Sequence, residues 1–299
     1  MKTGKIKKTN KNYFCAALFL IFAIAPLMTS CQYALHEFLY RNDSVDKRAG
    51  KLNKIDDSEK PHIPASGKYS VLIMSDVHFG AENQKRKRRE EDFFTEINNM
   101  AEKPLFAISL GDIAEHGYKT ELEAYKSQLT EELKNRFNVK TYNVVGNHDL
   151  YNSGWRHFKE ILFPHEALYK FSTKNFSWYF IDSASNTLGK KQSTLLMNDM
   201  KKDDKIKFVF AHVPFYADDW FYFTMQDSTE RNQLLSAFAK NNVKGIFTGH
   251  THIERTHDFG TFTEYTLGGY FAKRSWGILH VDEDQKQYSF EFKSLPNPD

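Results

Sequence analysis

The sequence predicts an α/β layered domain, and three features carry that prediction. Mostly apolar runs at Tyr69–Ser75, Leu105–Leu110, Thr141–Val145, Ile206–Ala211 and Val243–Thr248 read as buried strands. Between the first three lie stretches with apolar residues at helical spacing: one to about Ala101, with Phe93, Phe94, Ile97 and Met100, and one at Glu121–Phe137. Each of these five strands runs into a polar cluster, and a β-α-β-α-β order brings such strand ends together.

The N-terminus reads as a targeting segment. Five lysines and no acid occupy the first thirty residues, followed by an apolar run of sixteen from Tyr13 to Met28 and the small pair Thr29-Ser30. That run is short for a membrane span, and the order of regions is that of an export signal. It resembles a bacterial lipoprotein signal, with residues 1–30 removed and Cys31 acylated, although Met28 stands where such signals usually carry Leu. Cys15 and Cys31 are the two cysteines, so a cleaved lipoprotein would hold no disulfide. The expected location is the bacterial cell envelope, outside the cytoplasm, with a secreted or periplasmic form as the alternative. Polar, turn-rich text with Pro61 and Pro64 then predicts a tether over 31–68, containing one short helix at 33–40. The main domain is expected to span 69–299.

The first strand ends in Asp76-Val77-His78, where alternate residues share a face and can present two side chains to one cation. A salt bridge or a helix cap accounts for the pair equally well. Lys85-Arg86-Lys87-Arg88-Arg89 follows, either as a solvated helix start or as a basic lip that draws in anions. The second strand ends in Gly111-Asp112 and the third in Gly146-Asn147-His148-Asp149. Asn and Asp also suit simple turns. From Tyr151 to Ser183 the chain is rich in aromatic residues, and alternation at Tyr169–Phe171 and Phe176–Ile181 predicts a hairpin whose rings pack the core.

The fourth strand ends in His212-Val213-Pro214, where proline stops sheet pairing. An acidic and aromatic loop at Asp218–Phe223 precedes a helix at about Thr229–Lys240. The next strand ends in Gly249-His250-Thr251-His252, two imidazoles that packing alone does not explain. Alternation over Thr261–Leu267, Ser275–Val281 and Gln287–Phe292 predicts an antiparallel tail. Between its first two strands, Gly268–Arg274 is a candidate specificity segment, with Arg274 a candidate phosphate contact.

Collected, the strand ends offer carboxylate, amide and imidazole donors without thiolate, a set that suits Mn, Fe or Zn and is large enough for two ions. In order they read D-x-H, G-D, G-N-H-D, H and G-H-x-H. This pattern resembles the calcineurin-like metallophosphoesterases, over residues 70 to about 282. The resemblance implies a four-layer α-β-β-α sandwich and a dinuclear metal-dependent phosphoesterase that hydrolyses a phosphate monoester or diester with a metal-activated hydroxide. It implies that one ion takes Asp76, His78, Asp112 and His252, and the other Asp112, Asn147, His212 and His250. His148 would face the substrate phosphate, oriented by Asp149. Glu115 stands where the related purple acid phosphatases carry tyrosine, which places the chain nearer the cyclic-nucleotide phosphodiesterase-like branch.

A small phosphate ester is the expected substrate and the membrane, through Cys31, the expected support. Of 41 Lys and Arg, five lie in the leader, which leaves the rest of the chain at −2 against its 38 acids. Nucleic acid is therefore not an expected partner. A nuclease using the same residues, and an envelope-anchored binding protein with a relic site, are the competing readings.

Overall fold

The computed structural model describes residues 44–81, 86–216 and 223–295. The expected leader, Cys31 and the 33–40 helix lie outside these residues, as do Lys85 and 218–222 of the acidic loop. No helix among the described residues is long and apolar enough to cross a membrane.

The compact unit begins at Val45, well before the expected boundary. In α1 (Val45–Arg48), Val45 and the following Ala49 are buried. Arg48 Nε donates to Asp182 Oδ2 at 2.7 Å, with both side chains shielded from water. β1 (Asn53–Lys54) then pairs parallel with the strand at Tyr169–Ser172. The tether reading of 45–68 is corrected accordingly. Its polar text conceals contacts with partners more than a hundred residues away, which local composition cannot register.

β2 (Lys68–Met74), β3 (Phe106–Ser109) and β4 (Lys140–Asn143) form a parallel trio. Their crossovers are α2 (Arg86–Asn99) and a second helical stretch, in which α3 (Lys119–Tyr125) passes through a π-helical turn at Lys126–Thr130 into α4 (Glu131–Phe137). α5 (Gly154–Ile161) leads to the expected hairpin, β5 (Tyr169–Ser172) and β6 (Phe176–Phe180). α6 (Gly189–Met200), β7 (Ile206–Phe210), α7 (Ser228–Lys240) and β8 (Val243–Thr248) complete the second half.

The tail differs from expectation in one respect. β9 (Arg255–Asp258) appears, and β10 (Thr263–Thr266) lies antiparallel to it but parallel to β8. After α8 (Tyr270–Lys273), β11 (Ser275–Asp282) and β12 (Gln287–Ser294) form the expected antiparallel pair, and β11 joins β2.

Two sheets result, ordered β1-β5-β6-β7-β8-β10-β9 and β12-β11-β2-β3-β4. Alternation along the strands explains the layers. Val71 and Ile73 of β2 join Phe106, Trp178, Phe180, Phe208 and Phe210 in an aromatic core between the sheets. Leu72 and Met74 face the other way and pack with Phe93, Phe94 and Ile97 of α2. On the larger sheet, Tyr179, Val209 and Ile246 meet Leu196, Leu234 and Phe238 of α6 and α7 in the same manner. The central strands of each sheet are thus covered on both faces, which is why they read as continuous apolar runs. The aromatic text from Tyr151 to Ser183 is largely this core: the Tyr169 and Phe180 rings stack at 4.4 Å, and those of Phe180 and Phe210 at 4.9 Å.

Candidate metal centre

The polar clusters meet where β2, β3, β4, β7 and β8 run out into loops. Asp76, His78 and His252 form one group of donors, and Asp112, His212 and His250 a second. His252 Nε2 lies 3.1 Å from Asp76 Oδ1 and 3.3 Å from His78 Nε2. In the second group, His212 Nε2 is 3.2 Å from Asp112 Oδ2, 3.2 Å from His250 Nδ1 and 2.9 Å from Asn147 Oδ1. Asp112 also belongs to a third group with His78 and His148, so its carboxylate stands between the two sets. All seven residues expected at metals are therefore brought together.

The donor set fits cations on its own chemistry. Two nitrogens bound to one ion at about 2.0–2.1 Å come to rest about 3.0–3.4 Å apart. The facing imidazole pairs have that spacing. His250 Nε2 is buried without a hydrogen-bond partner. The residues that could hold two ions are thus Asp76, His78 and His252, with Asn147, His212 and His250, and Asp112 between them.

Backbone conformation supports the assembly. Asp76, His78, Asp112, His250 and His252 all have φ between 48° and 69°. Non-glycine residues in this left-handed region cost of order 1–3 kcal/mol each and concentrate at working sites. The glycines serve close approach. A Cβ on Gly146 would lie 2.1 Å from Asp112 N, and one on Gly249 1.7 Å from Ser75 Oγ. Gly146 is required by this contact rather than by a turn.

Electrostatics follow from burial of opposite charges. Burial disfavours the His212 imidazolium, but the neighbouring Asp112 carboxylate prevails and raises the group to about 9. The His252 group is raised by its bond to Asp76. Burial and the His212 charge lower His250 to about 4. A cation needs neutral imidazoles, so His212 must lose a proton when one binds. Metal affinity is expected to fall by about tenfold per pH unit below the His212 value, from that proton alone. Calorimetry in buffers of different ionisation enthalpy will show proton release on metal addition at neutral pH.

His148 stands over the first group, its ring edge-on to His78 at 4.9 Å. Asp149 does not orient it. The Asp149 carboxylate accepts hydrogen bonds from the N–H groups of Ile113, Ala114 and Gly146, at 2.8–2.9 Å. It clamps the second loop to the third. The residue that holds the ring is Glu115, whose carbonyl oxygen accepts from His148 Nδ1 at 2.7 Å. The Glu115 carboxylate lies 2.7 Å from His78 Nδ1. A carboxylate this close to a ligating imidazole raises its basicity. Glu115→Ala is expected to lower metal affinity by about 10–100-fold, read by competition with a chelator. Backbone holding of His148 would persist.

Other supports went unread in the sequence. Ser183 Oγ accepts from the N–H groups of His212 and Val213, and the buried Glu264 carboxylate accepts from those of Phe215 and Tyr216. Both fix the loop after β7. Only the β6–β7 and β8–β10 pairings bring them there, and the sequence announces neither.

The sequence pattern of the calcineurin-like phosphoesterases matches residues 69–254. The chain belongs to the calcineurin-like phosphoesterase family. A relative named as a probable cyclic nucleotide phosphodiesterase, from Fibrobacter succinogenes, is 25% identical over 201 residues, covering 64% of this chain and 76% of that protein. Among solved structures, a dimetal phosphatase from Danio rerio superposes with a TM-score of 0.57 at 14% identity, covering 71% of this chain and 92% of the other. The anchor in the inner membrane complex of Plasmodium superposes with a TM-score of 0.55, also at 14% identity, covering 78% and 90%. One calcineurin-like fold thus serves a phosphatase and an anchor, so chemistry has to be argued from the site.

Proposed function

We propose that the domain is a dinuclear metal-dependent phosphoesterase hydrolysing a small phosphate monoester or diester, held by a lipid on Cys31 outside the cytoplasm of a bacterial cell. The observation that carries this reading is that Asp112 joins His212 and His250 in one donor group and His78 and His148 in another, so that its carboxylate links the two sets. Bound ions of the Mn, Fe or Zn kind would polarise the phosphoryl oxygens and lower the pKa of water. Asp76, His78 and His252 with Asp112 would hold one, and Asn147, His212 and His250 with Asp112 the other.

His148 supplies the remaining chemistry. Its Nδ1–H is committed to the Glu115 carbonyl, so Nε2 is the nitrogen that acts. From Nε2 the ring can donate a proton to the leaving oxygen or a hydrogen bond to the phosphoryl group. The surrounding surface favours an organic ester. The exposed large hydrophobic residues among those described are Tyr118, Phe223 and Ile253. The Phe223 ring lies 5.8 Å from that of His250, Ile253 follows His252, and Tyr118 follows Gly117, which packs against the His148 carbonyl.

The test is a panel of monoesters, linear diesters and cyclic nucleotides, offered to protein lacking residues 1–31 and loaded with Mn, Fe or Zn. Hydrolysis of at least one class is expected. Metal binding without turnover of any ester would favour the anchored binding protein. Steeply salt-dependent DNA binding with cleavage would favour the nuclease.

A further inference from the structure

A second cluster of charge lies behind the centre, between α2 and α8. Arg89 and Arg274 are only 6% and 8% exposed, unusual burial for arginine. The Arg89 guanidinium sits over the Phe271 ring at 5.2 Å from its centroid, and that ring is 6.2 Å from His78. The segment carrying Arg274 is pinned to the metal loop, since Tyr270 N donates to Ser75 O and Phe271 N to Asp76 O. The guanidinium of Arg89 therefore lies no farther from His78 than those two spans combined. That bound leaves room for two phosphates at opposite ends of one sugar.

Several guanidinium donors in this cluster lack an acceptor among the described residues, although Tyr270 and Glu90 also stand near Arg89. Arg89 Nε and Nη1 and Arg274 Nε are buried with no hydrogen-bond partner. Arg274 Nη2 has one weak contact, to Asp92 at 3.4 Å, and Asp92 is itself turned partly to solvent. Buried guanidinium groups normally satisfy their donors, because an unpaired buried charge is costly. Stacking on Phe271 accounts for the position of Arg89 but not for its idle N–H groups. Arg89 also lies in the first turn of the fourteen-residue α2, where the helix end favours negative charge. Two neighbouring planar guanidinium forks suit a tetrahedral oxyanion.

We propose that Arg89 and Arg274 form an oxyanion subsite beside the metal centre, which takes a phosphate group other than the one undergoing hydrolysis. As part of a substrate, that group makes the preferred ester a bisphosphate, a refinement that rests on the phosphoesterase reading. The alternative source of the same chemistry is a free inorganic anion.

Two measurements on the metal-loaded protein separate these cases. The first is the rise in melting temperature on titration with sulfate, for the parent protein and for Arg89→Leu. A saturable rise in the parent, with its midpoint moved upward at least tenfold in the variant, establishes the subsite. The second is the ratio of KM values for a sugar bisphosphate and the matching monophosphate. An Arg89→Leu ratio raised about tenfold assigns the subsite to substrate; an unchanged ratio beside a lost sulfate response assigns it to a free anion. Should Arg89→Leu lose its cooperative melt, Arg274→Gln carries the same comparisons. No sulfate response in the parent, or an equal response in parent and variants, overturns the proposal. The sulfate arm needs no turnover, so it stands even if no ester is hydrolysed and the phosphoesterase reading falls.

Discussion

His148→Ala is expected to lower turnover by about 10²–10⁴-fold while leaving metal content unchanged. The ring is not among the groups read as holding either ion, and its Nδ1 is spent on the Glu115 carbonyl. What the variant loses is Nε2 at the leaving oxygen or beside the phosphoryl group. The defect should shrink for esters with good leaving groups, which need less proton donation, and persist for poor ones. Elemental analysis beside kcat for an aryl and an alkyl ester makes the comparison. Full activity in the variant would remove His148 from the chemistry, and loss of metal would make it a ligand.

Asp149→Ala should act on the fold instead. The carboxylate is fully buried and receives three backbone N–H bonds from two loops. Each buried donor left without an acceptor costs about 1–3 kcal/mol. A loss on the order of 4 kcal/mol is expected, large for one substitution. Because Ile113 and Ala114 follow Asp112, and Gly146 precedes Asn147, the same variant should also loosen both cation positions. Denaturant unfolding of the metal-free protein measures the first effect without the second. An Asp149→Ala protein of parental stability would show that the clamp is dispensable.

These two residues mark how far the sequence could be read. Adjacent in the chain, His148 and Asp149 look like one functional pair. The main strands and their order follow from periodicity and from where each apolar run stops; the grouping of Asp76, His78, Asp112, Asn147, His212, His250 and His252 comes from the resemblance of the five ordered blocks to a known family. The division of labour between His148 and Asp149 follows from neither, because it depends on which way each side chain leaves a turn. Glu115 was visible only as a departure from a related pattern. Its carbonyl acts regardless of side chain, and no sequence signal marks a working backbone oxygen. Ser183 and Glu264 were hidden for another reason: they reach the His212 loop through pairings between strands that are distant in the chain.

The N-terminal boundary has a bearing on where the protein can work. Since Val45 and Arg48 are fastened into the domain, residues available to separate it from an acylated Cys31 run only from 32 to 44, thirteen in all. Thirteen residues of any conformation span at most about 45 Å. With the lipid in place, the domain would be confined to a shell next to the bilayer. Its substrates would have to reach that layer, released there by the membrane or by enzymes bound to it, since the domain could not sweep the wider compartment to find them.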